Sequence, residues 1–173
     1  LVDLGHERIT FLGGISDHEG PHVDRERLGG YASRMRDAGL RPDHAPSEVS
    51  LPGGYDVAVD LLSDPDRRPT AIVAACDEVA IGAIIAARRL GIAVPSALSV
   101  VGIDNHEYSE MFGLTTLEQS PRGQGAAAAR LLLDHLRSPG TERTQMRLHA
   151  RLIVRGSTSP PPGTPSVAVG VIP

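Results

Sequence analysis

The chain has 173 residues, 40% of them hydrophobic and 22% charged, and a formal charge of -4. That apolar share fills the core of one domain, or of a lobe and part of another, and excludes a disordered chain. The acidic balance excludes a DNA-contacting surface on this segment, and the lone Cys76 excludes a disulfide framework.

Residues 8–12 (Arg8-Ile9-Thr10-Phe11-Leu12) are apolar and β-prone, and Gly13-Gly14 ends them, so a first strand is expected there. Val23, Leu28, Tyr31, Ala32, Met35 and Ala38 then recur at helical spacing, with Gly39 as the stop. The alternation repeats with a weak strand over 45–51, a helix over 54–62 and a buried strand over 70–75. Asp77 opens a further helix that runs to Leu90 and closes at Gly91, and the next strand covers 98–103. Strands that read as unbroken apolar runs are those covered by helices on both faces. The expected fold class is therefore α/β, a parallel sheet with helices on both faces. An Ala-rich helix over 123–136 and an imperfectly alternating edge strand over 146–154 follow. The stretch 159–173 carries too much proline for either element and is expected to be irregular.

In such sheets ligands bind beyond the carboxyl ends of the strands. Three side chains fall there: Arg27 near the start of the first helix, Asp77 after one strand and Asp104 after the next. A guanidinium fork and carboxylates suit the hydroxyls of a sugar, a nucleoside or a small acid. Each also has a plainer reading, Asp77 as a helix N-cap, Arg27 as a solvated helix charge and Asp104 as a turn cap. The loop 17–24 holds Asp17, His18, Glu19, His22 and Asp24, but no Cys or His pair elsewhere completes a four-ligand site, so no metal and no cofactor are expected. His106 stands near Asp104 as a conceivable acid/base partner, and Cys76 lacks a histidine partner. With no Gly-x-Ser-x-Gly, His-Glu-x-x-His or phosphate-binding loop, an enzyme is not expected. No window of 18 apolar residues and no signal-peptide pattern occur, so the expected compartment is the cytoplasm, without a membrane partner.

Several short motifs carry more together than singly. Leu4-Gly5-His6-Glu7-Arg8-Ile9, Arg27-Leu28-Gly29-Gly30-Tyr31, Asp77-Glu78-Val79-Ala80-Ile81-Gly82-Ala83 and Gly91-Ile92-Ala93-Val94-Pro95 are joined by Ser99-Val100-Val101-Gly102-Ile103-Asp104. Leu114-Thr115-Thr116-Leu117-Glu118-Gln119 and Leu152-Ile153-Val154-Arg155-Gly156-Ser157-Thr158 complete the series. In this order, over residues 1–158, they resemble the lactose-repressor (LacI/GalR) family of bacterial transcription regulators. The resemblance implies a helix-turn-helix, a hinge and a two-lobed core like periplasmic sugar-binding proteins, which takes an effector in its cleft and dimerises. It implies that this chain is mainly the second lobe, that 117–138 crosses to a lobe missing here, and that operator DNA is met only through an absent N-terminal headpiece. The competing role is a solute-binding protein of a sugar transporter.

By the same resemblance Arg27, Asp104 and Gln119 fall at effector-contacting positions, and Asp77 ends the strand beside the cleft. Cys76 replaces an asparagine common in sugar-responsive members, and a thiol cannot supply an amide's paired donor and acceptor. Val49, and likewise Pro121, stands where some relatives place an aromatic that stacks on the sugar, which weighs against a pyranose. The expected effector is a sugar or related polyol. The matching regions of relatives form a homodimer face, which here would take in Glu78 and Ile81 on the helix and Tyr108, Met111 and Phe112 after the Asp104 strand. The alternative for the helix is packing on its own sheet.

Overall fold

The structure is a computed structural model that describes residues 1–14, 22–138 and 145–164. Ten elements follow a 3-10 turn at Val2–Leu4: β1 (Ile9–Leu12), α1 (His22–Asp37), β2 (Asp43–Ala45), α2 (Leu51–Ser63), β3 (Ala71–Ala74), α3 (Asp77–Arg89), β4 (Ser99–Ile103), β5 (Thr115–Glu118), α4 (Pro121–Arg137) and β6 (Arg151–Ile153). The strands form one sheet in the order β2-β1-β3-β4-β5-β6. Pairings from β2 through β5 are parallel, and β6 closes the edge antiparallel to β5. The chain winds outward from β1 to β2 and then returns to lay β3 on the other side of β1. This reversal leaves a crevice at the carboxyl ends of β1 and β3.

Strand alternation divides the core between two faces. Leu12, Ile72, Ala74 and Val100 point to one, where they pack with Leu62 of α2, with Ile84 of α3 and with Leu98, all almost fully buried. Ile9 and Ala71 point to the other and meet Met35 and Tyr31 of α1. Helices thus cover both faces. The two helices on the first face touch backbone to backbone. A Cβ on Gly82 would lie 2.4 Å from Leu51 O, and one on Gly54 would lie 2.6 Å from Val79 O. Only glycine permits so close an approach. Ser50 caps α2, its Oγ accepting from Gly53 N at 3.1 Å. On the second face α1 leaves an apolar trough of about 780 Å³ between Phe11, Val73, Val101, Ile103, Leu117 and Leu152.

Three expectations are corrected. The second strand lies at Asp43–Ala45 and not over 45–51, because Pro46 follows it at once and the Ser50 cap commits the later residues to α2. The edge strand is three residues and not nine, since β5 offers partners only to Arg151, Leu152 and Ile153. Ile81 is 2% exposed and packs in the core with α2, so it is not available to a partner subunit. Ser159–Thr164 have no helix or strand, yet Ser159 is tightly anchored: its carbonyl accepts from His6 Nε2 at 2.8 Å and from Ser99 Oγ at 3.0 Å. The packed body therefore runs past residue 158. No described helix is long and apolar enough to cross a membrane.

Candidate ligand-binding site

The first turns of α1 bring Arg27 over the end of β3, where Nη1 donates to Ala75 O at 2.8 Å. Its Nη2 reaches Asp104, just past β4, at 3.3 Å from Oδ1. Gln119, just past β5, donates Nε2 to the same oxygen. Gln124 Nε2 in turn holds the Gln119 carbonyl at 2.7 Å. Arg27, Asp104 and Gln119, separated by up to 92 positions in the chain, thus meet at the carboxyl edge of the sheet.

Asp104 is held in an uncommon backbone conformation, with φ 117°, and Asn105 follows at φ 55°. Positive φ in residues other than glycine costs on the order of 1–3 kcal/mol and persists where the surroundings over-determine it. Here Asp104 N donates to Leu117 O at 2.8 Å and Asn105 N to Thr116 Oγ1 at 3.3 Å. The Asn105 amide is clamped between Glu118 Oε1 at 3.1 Å and Arg155 Nη2 at 2.8 Å. Burial raises the Asp104 carboxyl above its ordinary value, the nearby Asp77 and Glu78 charges add to this, and Arg27 and Gln119 pull the other way. The side chain nevertheless remains 43% exposed, so it is presented to the crevice while being held.

The other expected site residues fall differently. Asp77 is 1% exposed, and both of its oxygens are engaged inside the protein: Oδ2 by His106 N and Ser109 Oγ, Oδ1 by Thr116 Oγ1. It is neither the helix cap, which is Cys76, nor a group that can touch a ligand. The Cys76 thiol is buried and pushed up by that burial, the opposite of an activated nucleophile. Val49 is exposed in the turn before the α2 cap, at the same end of the sheet, where Ser47 N donates to Gly14 O at 3.1 Å. His106 does not pair with Asp104: its Nδ1 accepts from Tyr108 N at 3.3 Å, and its ring leans on Tyr108 with centroids 5.1 Å apart. The loop 17–24 lies outside the described residues as far as Pro21, and among the described residues no group of His, Cys, Asp and Glu could hold a metal.

Of the expected partner face, Glu78 is exposed, Tyr108 is half-exposed and Met111 is 79% exposed, while Phe112 is partly buried under Arg88, whose Cζ sits 5.4 Å from the ring centroid. Sequence reasoning missed Ser109, Thr116, Glu118 and Arg155, which hold the loop carrying these groups. Nothing local marks them, since each acts across 13 to 50 positions of chain.

A family model described as a periplasmic binding protein-like domain matches residues 1–158. An HTH-type transcriptional repressor PurR from Vibrio vulnificus is 30% identical over 162 residues, which is 90% of this chain and 47% of that protein. Catabolite control protein A of Priestia megaterium is 31% identical over 163 residues, 91% of this chain and 48% of its own. The chain thus spans about half the length of the curated relatives it matches. Among solved structures, a LacI family transcriptional regulator from Enterococcus faecium with bound ribose superposes with a TM-score of 0.79 at 29% identity, over 92% of this chain and 59% of its own. A dimeric Lac repressor superposes with a TM-score of 0.84 at 29% identity, over 93% of this chain and 59% of that one.

Proposed function

Because the chain belongs to the periplasmic-binding-protein-like family, as effector core of a LacI/GalR-type regulator, we propose that it senses a small polar effector for a dimeric transcriptional repressor. The observation that carries this reading is the convergence of Arg27 and Gln119 on one oxygen of Asp104 at the sheet's switch point. Both donors land on Oδ1, and among the described residues Oδ2 has no partner. A ligand hydroxyl donates to Oδ2, and a second hydroxyl on the neighbouring carbon accepts from the guanidinium. Adjacent hydroxyls of this kind define a sugar or polyol. Ribose is the first probe, since two structural neighbours hold it and the exposed Val49 offers no ring on which a larger sugar would stack. The role is binding and not turnover: effector closes the crevice and shifts the population of dimer arrangements.

The exposed Glu78, Tyr108 and Met111 are the proposed partner-subunit contacts, and the buried Ile81 is not among them. Operator DNA is met by another segment of the full-length protein, which works in the cytoplasm, and α4 docks on an adjoining lobe. The transporter role is not favoured, because the relatives named above are regulators. Calorimetry of the full-length protein with ribose tests the site. Asp104→Ala is expected to cost about 1.5–3 kcal/mol of binding, the scale of hydrogen bonds to charged groups. Unchanged affinity would remove Asp104 from the site.

A further inference from the structure

Asp77 accepts three hydrogen bonds, from His106 N at 2.7 Å, Ser109 Oγ at 2.6 Å and Thr116 Oγ1 at 2.6 Å. Bonds this short lie in the range of strong hydrogen bonds to a carboxylate, and a buried polar group is stable only when partnered in this way. One donor is a main-chain N–H, which can only donate, so the group below it must be an acceptor. The three donors come from two separate stretches of chain. His106 follows Asp104 by two residues, Thr116 precedes Gln119 by three, and Ser109 lies in the loop that exposes Tyr108 and Met111. Thr116 also relays the contact, since its Oγ1 donates to Asp77 and accepts from Asn105 N. The carboxylate reaches these partners by lying across β4 at Gly102, where a Cβ would stand 2.1 Å from Oδ1.

We infer that Asp77 is the positioning residue of the effector site, and that through this one carboxylate the ligand-facing Asp104 and the exposed Tyr108–Met111 loop move as a unit. The inference rests on the reading of Asp104 as a ligand group. It assigns Asp77 a role without ligand contact: it fixes the strained turn at Asp104 from one side and the start of the Gln119 segment from the other. Its third bond, to Ser109, runs to the surface loop. A ligand that draws Asp104 away from Gln119 therefore loads the Thr116 and His106 bonds, and the displacement has a covalent and hydrogen-bonded route to Ser109.

Residue-resolved hydrogen exchange on the full-length protein separates this role from simple core support. Asp77→Asn keeps the volume but weakens all three bonds, and Thr116→Val, Thr116→Ser and Ser109→Ala test the arms where the buried substitution unfolds the chain. Thr116→Val is expected to speed exchange of the amides around 104–106 and 117–119 about tenfold, the loss of one bond to a charged group. Thr116→Ser restores the hydroxyl and with it the protection, and Ser109→Ala acts on 107–113. The amides of β1 and β3 keep wild-type rates throughout. Uniform acceleration across the sheet, or unchanged rates around Asp104, would overturn the inference. In a parallel titration, Thr116→Val weakens ribose binding about tenfold and Thr116→Ser does not. If the wild-type protein takes no ribose, the sugar reading fails while the exchange arm still decides the role of Asp77.

Discussion

Helices α3 and α4 are both amphipathic, yet nine residues of α3 are buried and none of α4. α3 packs on the sheet beside α2, and the glycines at 54 and 82 let its backbone meet that of α2. α4 carries Leu132, Leu133 and Leu136 in water, each at least half-exposed. The difference teaches that an apolar stripe states a need for cover without saying what supplies it. In the α2–α3 layer the chain supplies its own cover. For α4 no cover exists among the described residues.

The contrast breaks first in the core. Leu98→Ala removes a fully buried side chain beneath α3 and is expected to cost about 3 kcal/mol of unfolding free energy in denaturant titration. A cost below about 1 kcal/mol would mean that the layer is far looser than its burial states.

The packed half also hides a titratable group. His6 is 1% exposed, bonded to Thr70 Oγ1 at 3.0 Å and Ser159 O at 2.8 Å. Burial lowers its pKa below the ordinary 6.5, and the Ser159 bond offsets only part of that. As pH falls below 6.5 the unfolded chain takes up a proton that the folded chain refuses, so stability declines between 6.5 and the lowered value and is insensitive to His6 above 6.5. Denaturation midpoints measured from pH 7 down to pH 5 should show this decline, and His6→Gln should remove its share of the slope. An unchanged slope in the variant would show that His6 is not the group responsible.

The smallest effect belongs to α4. Leu132→Ser combined with Leu136→Ser should shift the unfolding free energy of this chain by no more than about 0.5 kcal/mol, as for surface positions. A large loss would show that the helix has a home within the chain, and the contrast with α3 would vanish.

Much of this architecture is legible in the residues themselves. The unbroken run Thr70-Ala71-Ile72-Val73-Ala74-Ala75 announces a buried strand, and β3 occupies its centre. The ends of β1, β3 and β4 then locate the crevice, and Arg27, Asp104 and Gln119 meet there. What stayed hidden is direction. Asp77 begins a helix at a strand end, where sequence alone cannot tell a carboxylate facing the crevice from one turned inward; the difference is made by Gly102, Ser109 and Thr116, which lie 25 to 39 positions later. The apolar pattern of α3 likewise fits a partner subunit or its own sheet, and Ile81 shows that the sheet won. Residues 146–150 alternate, imperfectly, as a strand would, but extended chain becomes sheet only where a neighbour's main chain is available, and β5 has four residues.

The backbone at Asp104 carries a consequence for how such a site diversifies. At φ 117° the position disfavours β-branched and bulky residues, and Asn, Asp and Gly are the side chains that visit positive φ most readily. On the proposed reading of Asp104 as an effector contact, drift toward a new specificity is confined at 104 to a very short alphabet. Arg27 sits on an ordinary helix and Gln119 has an unexceptional φ, so both can vary without reshaping the main chain. New ligand preferences in descendants of this chain should accumulate on either side of the carboxylate and leave the carboxylate itself in place.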